Sequence, residues 1–275
     1  RDLIKELFLK YLASDELRML EDAAYINLKH NNTAITTDSY VVRPLFFPGG
    51  DIGKLSVCGT VNDLAVSGAV PKYLTAGFIL EEGFPFESLE KILKSIQETA
   101  ENAGVRIVAG DTKVVEKNKC DGMYINTTGV GEIIRRMPMS NVSEDDAVII
   151  TGTTGDHGTA VALARDEFNI DALVVSDCAP LNTLLTPLFE IQGVKWMRDP
   201  TRGGTATVLA ELSENTGFGI EVYEDNVPVR EDVRFISDML GYDPLYLANE
   251  GKAVIVTSQD TADSVIGILN KHPLG

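Results

Sequence analysis

Leu89, Ile92, Leu93, Ile96, Ala100 and Ala103 form one apolar stripe at helical spacing, and Gly104 ends it. Leu55, Val57, Val61, Leu64 and Ala65 predict a second helix over residues 52–66, with Gly68 suited to its C-terminal end. Leu3, Ile4, Leu7, Phe8 and Tyr11 predict an amphipathic helix over residues 2–12, and a short helical piece is expected around 15–20. Strands are predicted at 34–37 and 40–42, on either side of Asp38, then at 73–80, 105–109 and 123–130. The first half therefore reads β-α-β-α-β-β, an alternation that mixes helices with a sheet.

The turn-like run Arg-Arg-Met-Pro-Met-Ser-Asn at 135–141 marks a boundary. The expected division is an N-terminal domain over residues 1–137 and a C-terminal α+β domain over 138–275. In the second half, strands are predicted at 147–151, 194–197, 219–223, 245–247 and 253–257. Helices are expected after Gly158, at 180–191, from 204 to about 215, at 230–240 and at 261–269. The chain opens in mid-pattern and stops at His-Pro-Leu-Gly, so both ends are expected to be cut from a longer protein.

Of the 275 residues, 44% are hydrophobic and 24% charged, the proportions of an ordinary globular protein with a sizeable core. The formal net charge of −17 argues against a nucleic-acid partner, which calls for clustered Lys and Arg. Cys58, Cys120 and Cys178 are scattered, without a Cys-x-x-Cys pair. They read as reduced buried thiols of a cytoplasmic protein. No secretory segment and no long apolar run is present, so neither export nor a membrane span is expected.

Asp38, Asp63 and Asp199 lie at element edges or beside glycines. Carboxylates so far apart in sequence can converge only in a folded site, where a hard cation such as Mg²⁺ is their natural occupant. Each also has a plainer reading: a turn for Asp38, a solvated helix face for Asp63, and a helix N-cap before Pro200 for Asp199. Asp51 and the run Gly110-Asp111-Thr112-Lys113 suit phosphate oxygens; Gly49-Gly50-Asp51 is alternatively a plain turn, and Lys113 is a phosphate partner, a partner of Asp111 or a surface lysine. His157 sits in a loop with glycines at 152, 155 and 158. It is either catalytic or a residue that orders the loop. No G-x-x-x-x-G-K-[ST] is present, since Gly53-Lys54 and Gly251-Lys252 are followed by Leu and Ala. Glu250, flanked by apolar runs, is either a carboxylate of raised pKa able to act as general base or a hairpin-turn acid.

Several runs in order carry a family resemblance: Pro-Leu-Phe-Phe-Pro-Gly-Gly-Asp (44–51), Gly-Thr-Val-Asn-Asp-Leu-Ala (59–65), Gly-Phe-Ile-Leu-Glu-Glu-Gly (77–83), Gly-Asp-Thr-Lys (110–113), Gly-Asp-His-Gly (155–158), Val-Ser-Asp-Cys-Ala (175–179), Arg-Asp-Pro-Thr-Arg-Gly-Gly (198–204) and Ala-Asn-Glu-Gly-Lys (248–252). From about Thr36 onward the chain resembles the HypE family of hydrogenase maturation factors. That family lies in the aminoimidazole-ribonucleotide synthetase-like superfamily, with selenophosphate synthetase and thiamine-phosphate kinase.

The resemblance implies a two-domain α+β fold whose N-terminal domain forms a dimeric β-barrel, with ATP in a groove by that interface. It implies Mg²⁺ on Asp38, Asp63 and Asp199, with Asp111 a further metal contact. It puts Asp51, Gly110, Asp111 and Thr112 at nucleotide-binding positions. Glu250 is the implied base, assisted by Lys113, with His157 near phosphate. The implied activity is ATP-dependent dehydration of a carboxamide on a C-terminal cysteine to a thiocyanate, whose cyanide goes to the iron of [NiFe]-hydrogenase. The implied partners are a second copy, HypF as carbamoyl donor, and HypC and HypD as recipients. Two departures stand out: the family's His-Gly-rich loop before the first helix and its Pro-Arg-Ile-Cys tail are missing. A trimmed core not competent for full turnover is therefore expected. The alternatives are another superfamily enzyme such as a selenophosphate synthetase, against which Asp-Thr-Lys and Pro-Leu-Phe-Phe-Pro-Gly-Gly argue, and a non-catalytic dimeric docking module.

Overall fold

The computed structural model describes residues 7–12, 32–165 and 174–275. The helical piece expected at 15–20 and the first turn of the helix expected at 2–12 lie outside the described residues. What is described of the latter includes α1 (Leu9–Leu12). Lys10 there pairs with Glu90 at 2.8 Å.

The first half is a four-stranded sheet covered on one face by two helices. Its strands are β1 (Thr33–Tyr40), β4 (Ala69–Glu81), β5 (Arg106–Val115) and β6 (Met123–Ile133), in the order β1-β6-β4-β5. Between β1 and β4 come the two-residue pair β2 (Phe46–Phe47) and β3 (Gly50–Asp51), then helix α2 (Ile52–Val66). Helix α3 (Phe86–Ala103) carries the predicted stripe inward and links β4 to β5 as a parallel pair. Gly104 ends it in the left-handed region, as the sequence indicates.

Helix α2 is the centre of the molecule. Of its fifteen residues only Lys54 and Asp63 are not buried. A helix apolar on nearly every face belongs in a core. Its Leu55, Val57 and Val61 pack with Ile92 and Ile96 of α3, Leu74 and Phe78 of β4, and Ile125 of β6. Gly59 allows the closest approach, because a Cβ there would strike the Tyr40 ring and hydroxyl.

Two predicted boundaries fail in informative ways. Asp38 does not interrupt a strand. It lies within β1, paired with Thr127, and the ladder overrides the poor strand propensity of Asp. Residues 110–113 are not a loop after a strand. They continue β5, pairing in parallel with Ala76, Gly77, Phe78 and Ile79.

The second half holds the antiparallel sheet β7 (Ala147–Ile150), β9 (Val254–Thr257) and β8 (Val194–Arg198), with β9 central. Around it lie α4 (Asp156–Ala164), α5 (Asn182–Leu185), α6 (Gly204–Thr216), α7 (Glu231–Leu240) and α8 (Ala262–Leu269). The helix expected at 180–191 is α5 followed by a 3₁₀ turn over Thr186–Glu190. The strand expected at 245–247 is instead a 3₁₀ turn over Pro244–Tyr246. Pro244 has no N–H for a ladder, and the Asp243 side chain caps Leu245 N–H at 2.9 Å. No strand forms at 219–223, which is largely exposed and leads into the 3₁₀ turn Glu224–Asn226.

The two halves share a core. Ala65 and Val66 of α2 and Met137 pack with Leu181, Leu185, Val194, Ile255 and Val265 of the second half. Arg135 adds a polar tether, donating to the carbonyls of Gln192 at 3.0 Å and Val194 at 2.6 Å.

Candidate active site

Five of the residues singled out in the sequence face one cleft between the halves. Asp38 comes from β1, Asp63 from α2, Asp199 from the turn after β8, His157 from the start of α4 and Glu250 from the segment before β9. All five line a cavity of about 340 Å³. Asp38, Asp63, Asp199, Thr201 and Arg202 also line a second cavity of about 420 Å³, so the acids form the wall between two lobes.

The local reasons differ. Asp63 is the one acid on α2, and Thr36 of β1 donates to its Oδ2 at 2.8 Å. Asp38 accepts from Ser39 N–H at 2.7 Å and pairs with Arg202 at 3.4 Å. Asp199 does not cap a helix. α6 starts only at Gly204, with Gly203 in the left-handed region at its N-cap, so the capping explanation of Asp199 falls away.

The electrostatics follow from this crowding. Burial, then the charge of Asp63, and further on that of Asp38, push the Asp199 carboxyl up to about 7. Burial and Asp38 raise Asp63 as well, against the lowering Thr36 hydrogen bond. Glu250 is held well above the usual carboxylate range by burial and by Cys178, Asp199, Asp177 and Asp38 around it. Burial lowers His157 to about 4, so its ring is neutral at pH 7. The ring is bonded through Nδ1 to Ser176 Oγ at 2.8 Å and lies edge-on to Phe47.

Glu250 is not a hairpin-turn acid. Both of its main-chain groups are held by side chains. Its N–H donates to Asp177 Oδ1 at 3.1 Å, and its carbonyl accepts from Asn62 Nδ2 at 3.2 Å. Asn62 also donates to the Ala179 carbonyl at 3.1 Å and accepts from Leu181 N–H at 2.8 Å. Asn249 is fully buried. Its Oδ1 accepts from Gly155 N–H at 2.7 Å, and its N–H donates to the Pro200 carbonyl at 3.0 Å, so it ties the glycine loop to the Asp199 turn. Asn62, Asp177, Asn249 and Arg202 were not singled out from sequence. The one signal for Asn62 is a polar residue amid the apolar positions of α2.

The remaining candidates are elsewhere in the chain. Asp51 caps α2, accepting from Gly53 N–H at 2.7 Å and Lys54 N–H at 3.1 Å. Gly110, Asp111, Thr112 and Lys113 are on β5, at the opposite edge of the sheet from β1. The register runs Ser39, Asn126, Gly77, Asp111 along one row and Asp38, Thr127, Ala76, Gly110 along the next. Asp111 and Lys113 therefore stand on the face away from α2, and Asp38 on the face toward it.

The donor chemistry of the cleft suits a hard cation: three carboxylates, oxygen only, with Asp38 raising the proton affinity of Asp63 and both raising that of Asp199. Among the described residues no group of three or more His, Cys, Asp or Glu is close enough together to make a ready-formed metal site. The fit is thus one of donor type. No helix among the described residues is long and apolar enough to cross a membrane.

Comparison with known proteins assigns the fold a family. The AIR synthase related protein N-terminal domain matches residues 20–133, and the corresponding C-terminal domain matches 143–275. The carbamoyl dehydratase HypE of Escherichia coli K12 is 45% identical over 282 residues, covering 100% of this chain and 84% of that protein. A crystal structure of the hydrogenase maturation protein HypE in complex with ATP superposes with a TM-score of 0.96 at 46% identity, covering 99% of this chain and 82% of that one. The chain in a HypE–HypF complex gives a TM-score of 0.87 at 50% identity, covering 99% of this chain and 90% of that one. The chain belongs to the AIR synthase related proteins and, among them, to the HypE family.

Proposed function

We propose that this protein is an ATP-dependent carbamoyl dehydratase. It converts the carboxamide on a C-terminal cysteine sulfur into a thiocyanate, the source of cyanide for the iron of [NiFe]-hydrogenase. The observation that carries this reading is the convergence of Asp38, Asp63, Asp199 and Glu250 on one cleft, in a chain 45% identical throughout to a carbamoyl dehydratase. The ATP complex of a HypE supports the nucleotide.

The chemistry needs two things from the cleft. A carboxamide oxygen is a poor leaving group until it is phosphorylated. Phosphoryl transfer from ATP makes it one. The carbon–oxygen bond then breaks as phosphate departs, and the nitrogen gives up both protons to leave the nitrile. Asp38, Asp63 and Asp199 would hold Mg²⁺, which supplies positive charge against the phosphates during transfer. Glu250, with its high proton affinity and its main chain fixed at both ends, takes an amide proton as general base. His157 is neutral and held by Ser176, so its role is to donate or accept a hydrogen bond near phosphate rather than to pair with it as a charge.

Lys113 assists Glu250, and Asp51 with Gly110, Asp111 and Thr112 binds nucleotide, with Asp111 also touching metal, only if two copies meet. Three strand spacings, about 14 Å, separate β5 from β1, and the side chains of Asp111 and Lys113 stand on the other face. The outer face of the sheet, with Ile35 72% and Ile79 41% exposed, is the surface we assign to a homodimer with a shared β-barrel and ATP in its groove. A HypE–HypF complex supports HypF as the carbamoyl-supplying partner. HypC and HypD are the proposed cyanide recipients and the cytoplasm the proposed location. The residues between the two family matches support a domain division at 137/138.

The test is Mg-dependent ATP hydrolysis in the presence of a peptide ending in S-carbamoylcysteine. The account expects hydrolysis coupled to a nitrile product, and loss of both in Asp63→Asn. Unchanged hydrolysis in Asp63→Asn, or hydrolysis without nitrile, overturns it.

A further inference from the structure

Two cysteines that the proposed reaction does not use meet in the core. Cys58 is on α2 and 0% exposed, and Cys178 is in the segment before α5 and 2% exposed. They come from the two halves of the chain and belong to the same buried core, where the Cys58 thiol is the first cause that pushes the Cys178 thiol up.

Flanking groups hold them together. Asn62 follows Cys58 by one helical turn on the same face of α2. Its side chain binds the carbonyl of Ala179 and the N–H of Leu181, fixing the segment just after Cys178 against α2. On the other side, Cys178 N–H donates to Ser176 Oγ at 3.1 Å, the same hydroxyl that bonds His157. Gly251 presses on this segment from behind, since a Cβ there would collide with the Asp177 carbonyl.

The geometry points to Cys58 and Cys178 as a disulfide cross-link site between the two domains, closed by a two-electron oxidant such as a peroxide or a diazene. With peroxide, one sulfur loses its proton and attacks an oxygen, giving a sulfenic acid and water. The second sulfur then displaces the hydroxyl and gives the disulfide and a second water. Two thiols are oxidised, and the peroxide is reduced to two waters. A dithiol reverses the step.

The route in is the cleft. Its 340 Å³ cavity is lined by Gly59, next to Cys58, by Glu250, whose carboxyl feels Cys178, and by His157, whose partner Ser176 binds the Cys178 N–H. The neighbouring Cys58 thiol and burial keep Cys178 protonated, so the first step is slow, and a ligand filling the cleft slows it further. Cys120 lines a different cavity with Glu81 and Tyr124. Once formed, the cross-link ties α2, which carries Asp63, to the segment whose Asp177 holds Glu250.

The experiment needs no turnover, so its failure and that of the dehydratase reading are separate. The folded full chain is treated with diamide, alkylated under denaturing conditions, digested without reduction and mapped by mass spectrometry. Two of the three thiols should be lost. A Cys58–Cys178 linked peptide pair should appear, return to thiols with dithiothreitol, and form several-fold more slowly with Mg-ATP present. Cys120→Ser should keep the link, and Cys58→Ser and Cys178→Ser should each abolish it. Free Cys58 and Cys178 after treatment, or links only to Cys120 or to a second copy, overturn the proposal. The wild-type chain gives the deciding result, so a variant that fails to fold leaves the test intact.

Discussion

The side-chain amide of Asn62 donates to the carbonyl of Glu250 at 3.2 Å. The bond joins the central helix of one half to the acid of the other half that faces the cleft. The Asn62 amide and carbonyl make three such bonds in all, and the residue is 1% exposed. Asn62→Ala leaves two carbonyls and the Leu181 N–H short of partners. It should cost about 2–4 kcal/mol of stability, read by urea unfolding, and lower kcat more than it raises KM.

Asp199→Asn should separate stability from function. The carboxylate is buried beside Asp63 and Asp38. Without metal, the neutral amide relieves that repulsion, and the variant should be about 1–3 kcal/mol more stable than wild type at pH 8 in chelator. It should lose the stabilisation that Mg²⁺ gives the wild type, and Mg-dependent ATP hydrolysis with it. Differential scanning calorimetry with and without Mg²⁺ checks both.

His157 gives a pH signature. Its folded pKa is about 4, below the unfolded value of about 6.5. A lowered pKa contributes stability that is present above pH 6.5 and lost as pH falls through 4. The loss should total about 3 kcal/mol. His157→Gln should flatten the stability profile in that window, measured by urea unfolding at stepped pH.

Much of this site could be read from the chain, and the rest could not for a physical reason. Asp63 stood out because Val61, Leu64 and Ala65 beside it are core residues, and the structure leaves only it and Lys54 unburied on the helix. The stripe at 89–103 and its stop at Gly104 were legible because both are local. Asn62, Asp177 and Arg202 act on groups 73 to 188 residues away in sequence, which no local pattern reports. Residues 110–113 read as a glycine loop, and only pairing with β4, a non-local choice, makes them strand. Pro244 carries the local information against a strand at 245–247, because it has no N–H for a ladder.

The position of Lys113 makes complementation a test of the dimer. Lys113→Ala and Asp63→Asn should each be inactive alone. If Lys113 acts on the cleft of the other copy, a mixed dimer keeps one intact site. Equal mixing after subunit exchange should then recover about a quarter of wild-type turnover. No recovery, with exchange verified, means that Lys113 acts within its own chain or not at all.

The central claim is that ATP activates the carboxamide oxygen. An S-carbamoylcysteine peptide carrying a heavy oxygen isotope in its carboxamide tests this most directly, with the released phosphate analysed by mass spectrometry. The account predicts that the label moves into inorganic phosphate, one atom per nitrile formed. Nitrile formation with unlabelled phosphate and the label in water would contradict it.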